Sequence, residues 1–250
     1  MTEAIMEEIF NTILIAINII GVISFAAAGA MIAIDKETDI FGVILLSLTT
    51  CFGGGILRDV IAGNQIGRMI PIFFGNDEEN LKMEIIVCVC TAFIVFLLAF
   101  IFKDKYVKEE IFVGKINNVL DALGLGVFAA VGTAAYAELG AFVAITMGLL
   151  SAVGGSLIRD VLLREVPFIL RKRVYAVACI LGSATYYLVS VVIMNGMPSA
   201  NVVGTLCCIV LIFVIRMCAT VFRWDMPRAI DFSKIKPSES NEKDKIDLNK

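Results

Sequence analysis

Apolar residues fall in seven runs, approximately 10–34, 40–62, 83–102, 117–137, 140–163, 174–194 and 202–222, joined by short polar connections. Each is long enough for a helix to cross a hydrocarbon core, which takes ~20 residues. The pattern predicts an all-α membrane protein of seven transmembrane helices. From about Arg223 the chain becomes rich in Lys, Glu, Asp and Ser, the composition of a disordered tail.

The pattern also repeats. Gly53-Gly54-Gly55-Ile56-Leu57-Arg58-Asp59-Val60 in the second run recurs as Gly154-Gly155-Ser156-Leu157-Ile158-Arg159-Asp160-Val161 in the fifth. Gly21 aligns with Gly124, Phe25-Ala26-Ala27 with Phe128-Ala129-Ala130, Gly29 with Gly132 and Phe41 with Phe142. Runs 1–3 therefore correspond to runs 4–6. A unit of three helices ends on the side opposite its start, so the second unit must be inverted, related to the first by a pseudo-two-fold axis in the membrane plane. The expected organisation is a first unit over 1–115, an inverted unit over 116–200, a seventh helix over 201–222 and a polar cytoplasmic tail over 223–250.

Charge orients this arrangement. Lys36, Lys103, Lys105, Lys108, Lys115, Arg164, Arg171, Lys172 and Arg173 fall on the side opposite the N-terminus, against Arg68 and Lys82 on the other. Positive residues favour the cytoplasmic side, so a plasma-membrane protein is expected, with its N-terminus outside and C-terminus inside. The N-terminus, with Glu3, Glu7 and Glu8, lacks the basic start of a cleaved signal peptide.

Composition narrows the function. Hydrophobic residues make up 59% of the chain, above the ~45–50% of soluble domains. The net charge is −3, with no basic face to attract nucleic acid. Histidine is absent, and Cys51, Cys88, Cys90, Cys179, Cys207, Cys208 and Cys218 lie in apolar runs without metal-site spacing. No metal, cofactor or nucleophile–base pair is indicated, so an enzyme is not expected.

The repeated phrase carries the candidate chemistry. At 1.5 Å per residue, Gly53 and Gly154 each lie ~20 Å from the entry of their helices, near the midplane and approached from opposite sides. Two readings compete. Adjacent glycines can break a helix, and a break at that depth is tolerated only against protein or a water-filled cavity. The freed carbonyls would then face a cation or ammonium group, and the following amides a carboxylate. Alternatively the glycines serve close helix packing, with Ala26–Gly29 and Ala129–Gly132 as facing partners. Uninterrupted, tightly closed second and fifth helices with no cavity beside either cluster would favour a scaffold role.

Arg58 and Arg159 fall near the far edges of the core and are candidate gates, one at each face. Neighbouring residues on a helix point ~100° apart, so each Arg is expected to bond another helix rather than Asp59 or Asp160. Asp121, aligned with Asn18, is either an interfacial carboxylate or a cation or proton site. Arg216 is expected to snorkel inward, Pro71 and Pro167 to stop the half-helices, and Trp224 to anchor at the interface.

These features together resemble the bacterial glycine transporter domain family. The resemblance rests on Gly-Gly-Gly-x-x-Arg-Asp-Val, on Gly-Gly-x-x-x-Arg-Asp-Val-Leu ending in Glu165-Val166-Pro167, and on Asp121-Ala-Leu-Gly-Leu-Gly-Val-Phe128. Ser156 and Arg164 replace glycines usual there. That family is similar to the trimeric intracellular cation (TRIC) channels, which implies a homotrimer with one path per subunit and kinked second and fifth helices. The expected function is movement of a small solute, glycine or a similar amino acid, along Gly53, Gly54, Gly55, Arg58, Asp59, Gly154, Gly155, Ser156, Arg159, Asp160 and Asp121. The alternative is a homotrimeric potassium or sodium channel.

Overall fold

The structure, a computed structural model, describes residues 2–63, 78–171, 174–222 and 224. Seven helices dominate: α1 (Thr2–Asp35), α2 (Ile40–Ala62), α3 (Glu78–Ile101), α4 (Glu110–Ala135), α5 (Ala141–Leu162), α6 (Val174–Tyr187) and α7 (Ala200–Val221). A π-helical turn, Leu188–Ile193, extends α6. Short helices at Lys103–Lys108 and Phe168–Arg171 lie in the connections. All seven long helices contain a stretch apolar enough to cross a membrane. Arg68, Pro71, Lys172, Arg173 and the tail from 225 lie outside the described residues.

At ~1.5 Å per residue the 34 residues of α1 exceed a ~30 Å core, so this helix extends beyond it or tilts. We call the end of the bundle where α1 begins the near end, and the other the far end. At the far end α1 stops at a Schellman motif: the Thr38 amide donates to Ala33 O and that of Glu37 to Ile34 O, with Glu37 at φ 55°. Asp39 then caps α2 by accepting from the Gly42 amide at 2.8 Å.

The inverted repeat is visible in reciprocal contacts. A Cβ on Gly54 would collide with the Ser151 carbonyl, and one on Gly155 with that of Thr50, the residues aligned with each other. Gly29 of α1 sits against Ser47 and Thr50 of α2, and Gly132 of α4 against Gly148 and Ser151 of α5. Phe25 and Phe128 stack at 5.0 Å between the halves, beside the pseudo-axis. The seventh helix packs through two further glycines, Gly126 against Ile209 and Gly182 against Ile212. Without hydrophobic drive between helices in lipid, such close backbone approach is what van der Waals attraction requires.

The structure corrects the expected helix breaks. α2 and α5 run unbroken through Gly53–Gly55 and Gly154–Ser156. The two clusters pack against each other, rather than against the small residues of α1 and α4. Glycine costs a helix backbone entropy, but here each missing Cβ makes room for a facing carbonyl, and the continuous hydrogen-bond ladder is kept. Pro167 does not stop a half-helix either. α5 ends at Leu162, and Pro167 opens the next short turn by accepting from the Leu170 amide at 2.9 Å.

Candidate functional site

The α2–α5 crossing separates two charged clusters. At the near end, α2 carries Arg58 and Asp59 one and a half turns beyond its glycines. Arg58 Nε and Nη2 donate to Asp59 Oδ1 and Oδ2 at 2.7 and 3.0 Å, a bidentate pair almost wholly inside the bundle. Arg58 Nη1 lies 3.4 Å from Ser151 Oγ of α5, and the Tyr136 hydroxyl, just past α4, donates to Asp59 Oδ1 at 2.9 Å. The guanidinium also stands 5.6 Å above the Tyr136 ring.

At the far end, Arg159 Nε and Nη2 both donate to Asp160 Oδ1, at 3.0 and 2.8 Å. Arg159 is 1% exposed, and its Nη1 has no partner among the described residues. Each Arg thus pairs with its own neighbouring Asp, contrary to the expectation from helical angles, while Arg58 alone also reaches another helix, at Ser151. The long arginine stem lets the guanidinium fold back around the helix, and the nearest carboxylate limits the cost of a buried cation.

Asp121 belongs to a network of four helices. Its Oδ2 accepts from Arg216 Nη2 of α7 at 3.2 Å, and its Oδ1 from the Tyr175 hydroxyl of α6 at 3.1 Å. Ser156 Oγ of α5 lies 3.3 Å from that hydroxyl, and the Arg216 guanidinium sits 4.4 Å over the Tyr175 ring. Asp121 and Arg216 are buried, so the interfacial reading of the first and the snorkelling of the second are corrected. A buried ion pair between α4 and α7 answers both charges at once. In the first unit the aligned Asn18 instead donates to Glu84 of α3. Glu84, Tyr136 and Tyr175 escaped sequence reasoning, since one polar group at a helix end looks interfacial until its partner is located.

A cavity of about 910 Å³ opens at the far end among the ends of α1, α3 and α5 and the start of α4. Asp160 forms part of its wall, whereas none of the glycines at the crossing does. The candidate residues therefore separate: Arg58 and Asp59 near, Arg159, Asp160, Asp121 and Ser156 far, and Gly53, Gly54, Gly154 and Gly155 closed between them, with Gly55 half-buried beside them. Cys51, Cys88, Cys179 and Cys208 are buried free thiols, and the described residues hold no group of three metal-binding side chains.

The family profile described as Glycine transporter matches residues 15–100 and 118–190, covering both three-helix units. The chain belongs to this family. It is 34% identical over 216 residues to the UPF0126 inner membrane protein YadS of Escherichia coli K12, covering 84% of this chain and 92% of the relative. It is 29% identical over 213 residues to the UPF0126 membrane protein YvgT of Bacillus subtilis, covering 84% and 94%. Among solved structures it resembles a TRIC cation channel studied for conductance, with TM-score 0.66, 29% identity and coverage of 86% of this chain and 97% of that one. The TRIC trimeric intracellular cation channel orthologue from Rhodobacter sphaeroides matches with TM-score 0.66 and 28% identity, covering 85% and 100%. The chain is thus a seven-helix membrane protein of a transport family with a channel fold.

Proposed function

We propose that the protein passes a small monovalent cation across the membrane along the α2–α5 seam, and that the structure is its closed conformation. The observation that carries this reading is the crossing itself. Two unbroken helices meet through glycines with a buried Arg–Asp pair on each side, so a small separation of α2 from α5 would join the two charged clusters through exposed backbone carbonyls. The far cavity leads toward one cluster by way of Asp160, and the structural relatives are cation channels. Continuous, closely packed α2 and α5 with no crossing glycine in the cavity wall meet the condition stated for a scaffold role, so the path reading leans on the cavity at Asp160 and on the channel relatives. A cavity that includes Asp160 in its wall favours a path. The trimeric relatives support a homotrimer as the working unit, and the Lys and Arg distribution supports a cytoplasmic far end.

A second reading, transport of glycine or a similar small amino acid, is favoured by Arg159 Nη1. A buried guanidinium N–H that has no acceptor among the described residues, beside Asp160, suits the opposed charges of a zwitterion. Recording in planar bilayers separates the two. A channel gives unitary potassium currents with no amino acid present, whereas a transporter gives no unitary events and shows saturable, competable glycine uptake.

A further inference from the structure

We infer that Cys51 of α2 and Cys88 of α3 are a redox-sensitive dithiol, which closes to a disulfide and, by tying the seam helix to α3, slows passage along the seam. The two sulfurs stand 3.5 Å apart. The Cys88 thiol donates to Cys51 Sγ, and the Cys51 thiol donates to Val22 O of α1 at 3.4 Å. Cys51 is 3% exposed and Cys88 0%, and both belong to one apolar cluster with Val22. Theirs is the one contact between thiols among the described residues. Cys208 turns to Gly126 O instead, and Cys90, two positions beyond Cys88, is exposed.

A buried thiol is ordinarily an inert apolar filler. This pair differs because nothing separates the sulfurs. A disulfide needs them ~2.05 Å apart, so they must close by roughly 1.5 Å, a shift asked of two short side chains and the helices that carry them. The apolar surroundings exclude a charged oxidant and admit a small neutral one, a hydroperoxide. One sulfur attacks the peroxide O–O bond and becomes a sulfenic acid, and its proton leaves with the displaced hydroxide as water. The second sulfur then displaces the sulfenic hydroxyl, which takes the second thiol proton and leaves as another water. Two S–H bonds and one O–O bond are exchanged for one S–S and two O–H bonds, and each sulfur gives up one electron. The bridge joins positions 37 apart in sequence and lands on α2 two residues before Gly53, where that helix crosses α5.

The bridge stands apart from the conduction reading; only its effect on flux rests on it. Purified full-length protein in proteoliposomes is treated with hydrogen peroxide, denatured, alkylated with a maleimide and digested for mass spectrometry. Two fewer of its seven cysteines are expected to take the label, with a linked peptide joining Cys51 to Cys88, and dithiothreitol restores both. Cys51→Ala and Cys88→Ser are each expected to lose the bridge and Cys90→Ser to keep it. Full labelling after oxidation, a sulfenic or sulfinic acid with no bridge, or a bridge between other cysteines overturns the assignment. Potassium flux in the same vesicles is expected to fall several-fold on oxidation and to recover with dithiothreitol, and in Cys88→Ser to ignore peroxide. A bridge with unchanged flux overturns its control of the seam. A bridge with no flux in either redox state rejects the conduction reading and leaves the dithiol, and flux with no bridge does the reverse.

Discussion

Arg164 has a positive φ, as does the glycine aligned with it in the first unit. Its φ is 57°, that of the aligned Gly63 is 59°, and each follows a helix carrying the Arg-Asp phrase. After α5 the Glu165 amide donates to Asp160 O and the Arg164 amide to Val161 O, a second Schellman motif that needs a left-handed residue. Left-handed geometry costs an ordinary residue ~1–2 kcal/mol, of which glycine's greater unfolded-state entropy returns part. Arg164→Gly is therefore expected to stabilise the protein by roughly 0.5–1 kcal/mol, read as a melting temperature a few degrees higher in detergent. Asp121→Asn acts in the opposite direction, leaving Arg216 as a buried charge without its counter-ion, at a cost of about 3–5 kcal/mol. Thermal denaturation of Asp121→Asn beside the double variant Asp121→Asn/Arg216→Met measures this, and the double variant is expected to recover most of the loss. The sequence marked Arg164 as a departure from glycine, but left Asp121 as either an interfacial carboxylate or a cation or proton site. Arg216, lying 95 positions away, could not be joined to it without the packing of α7.

Helix existence was legible throughout, because seven apolar stretches of spanning length leave little freedom in lipid. What the glycines do was not legible. A break and a close crossing draw on the same residue, and the deciding fact is a carbonyl on another helix about a hundred positions away. The crossing also makes unequal demands on its glycines. A Cβ on Gly155 would strike the Thr50 carbonyl, whereas one on Gly53 would stand 3.2 Å from Gly155 Cα and 3.3 Å from a flexible Ile158 methyl. Gly155→Ala is expected to cost about 1–3 kcal/mol through helix displacement. Gly53→Ala offsets a smaller clash with better helix propensity and is expected to stay within about 1 kcal/mol of the parent. Melting curves of the two variants test this, and equal losses would show that the helices do not meet here.

Across the whole molecule, inversion could be read from the odd number of helices in each repeated unit, and it accounts for the reciprocal contacts of Gly54 and Gly155. The cavity could not be read, because it forms where four helix ends from different parts of the chain converge. The account's central claim is that the α2–α5 seam is a cation path flanked by Arg–Asp pairs. Potassium flux in proteoliposomes tests it, comparing the parent with Arg58→Gln/Asp59→Asn, which removes both charges of the near pair together and so avoids an orphaned ion. The account predicts potassium flux in the parent and a changed rate or potassium-to-sodium ratio in the folded variant. No flux in the parent, or identical flux and selectivity in both, would contradict it.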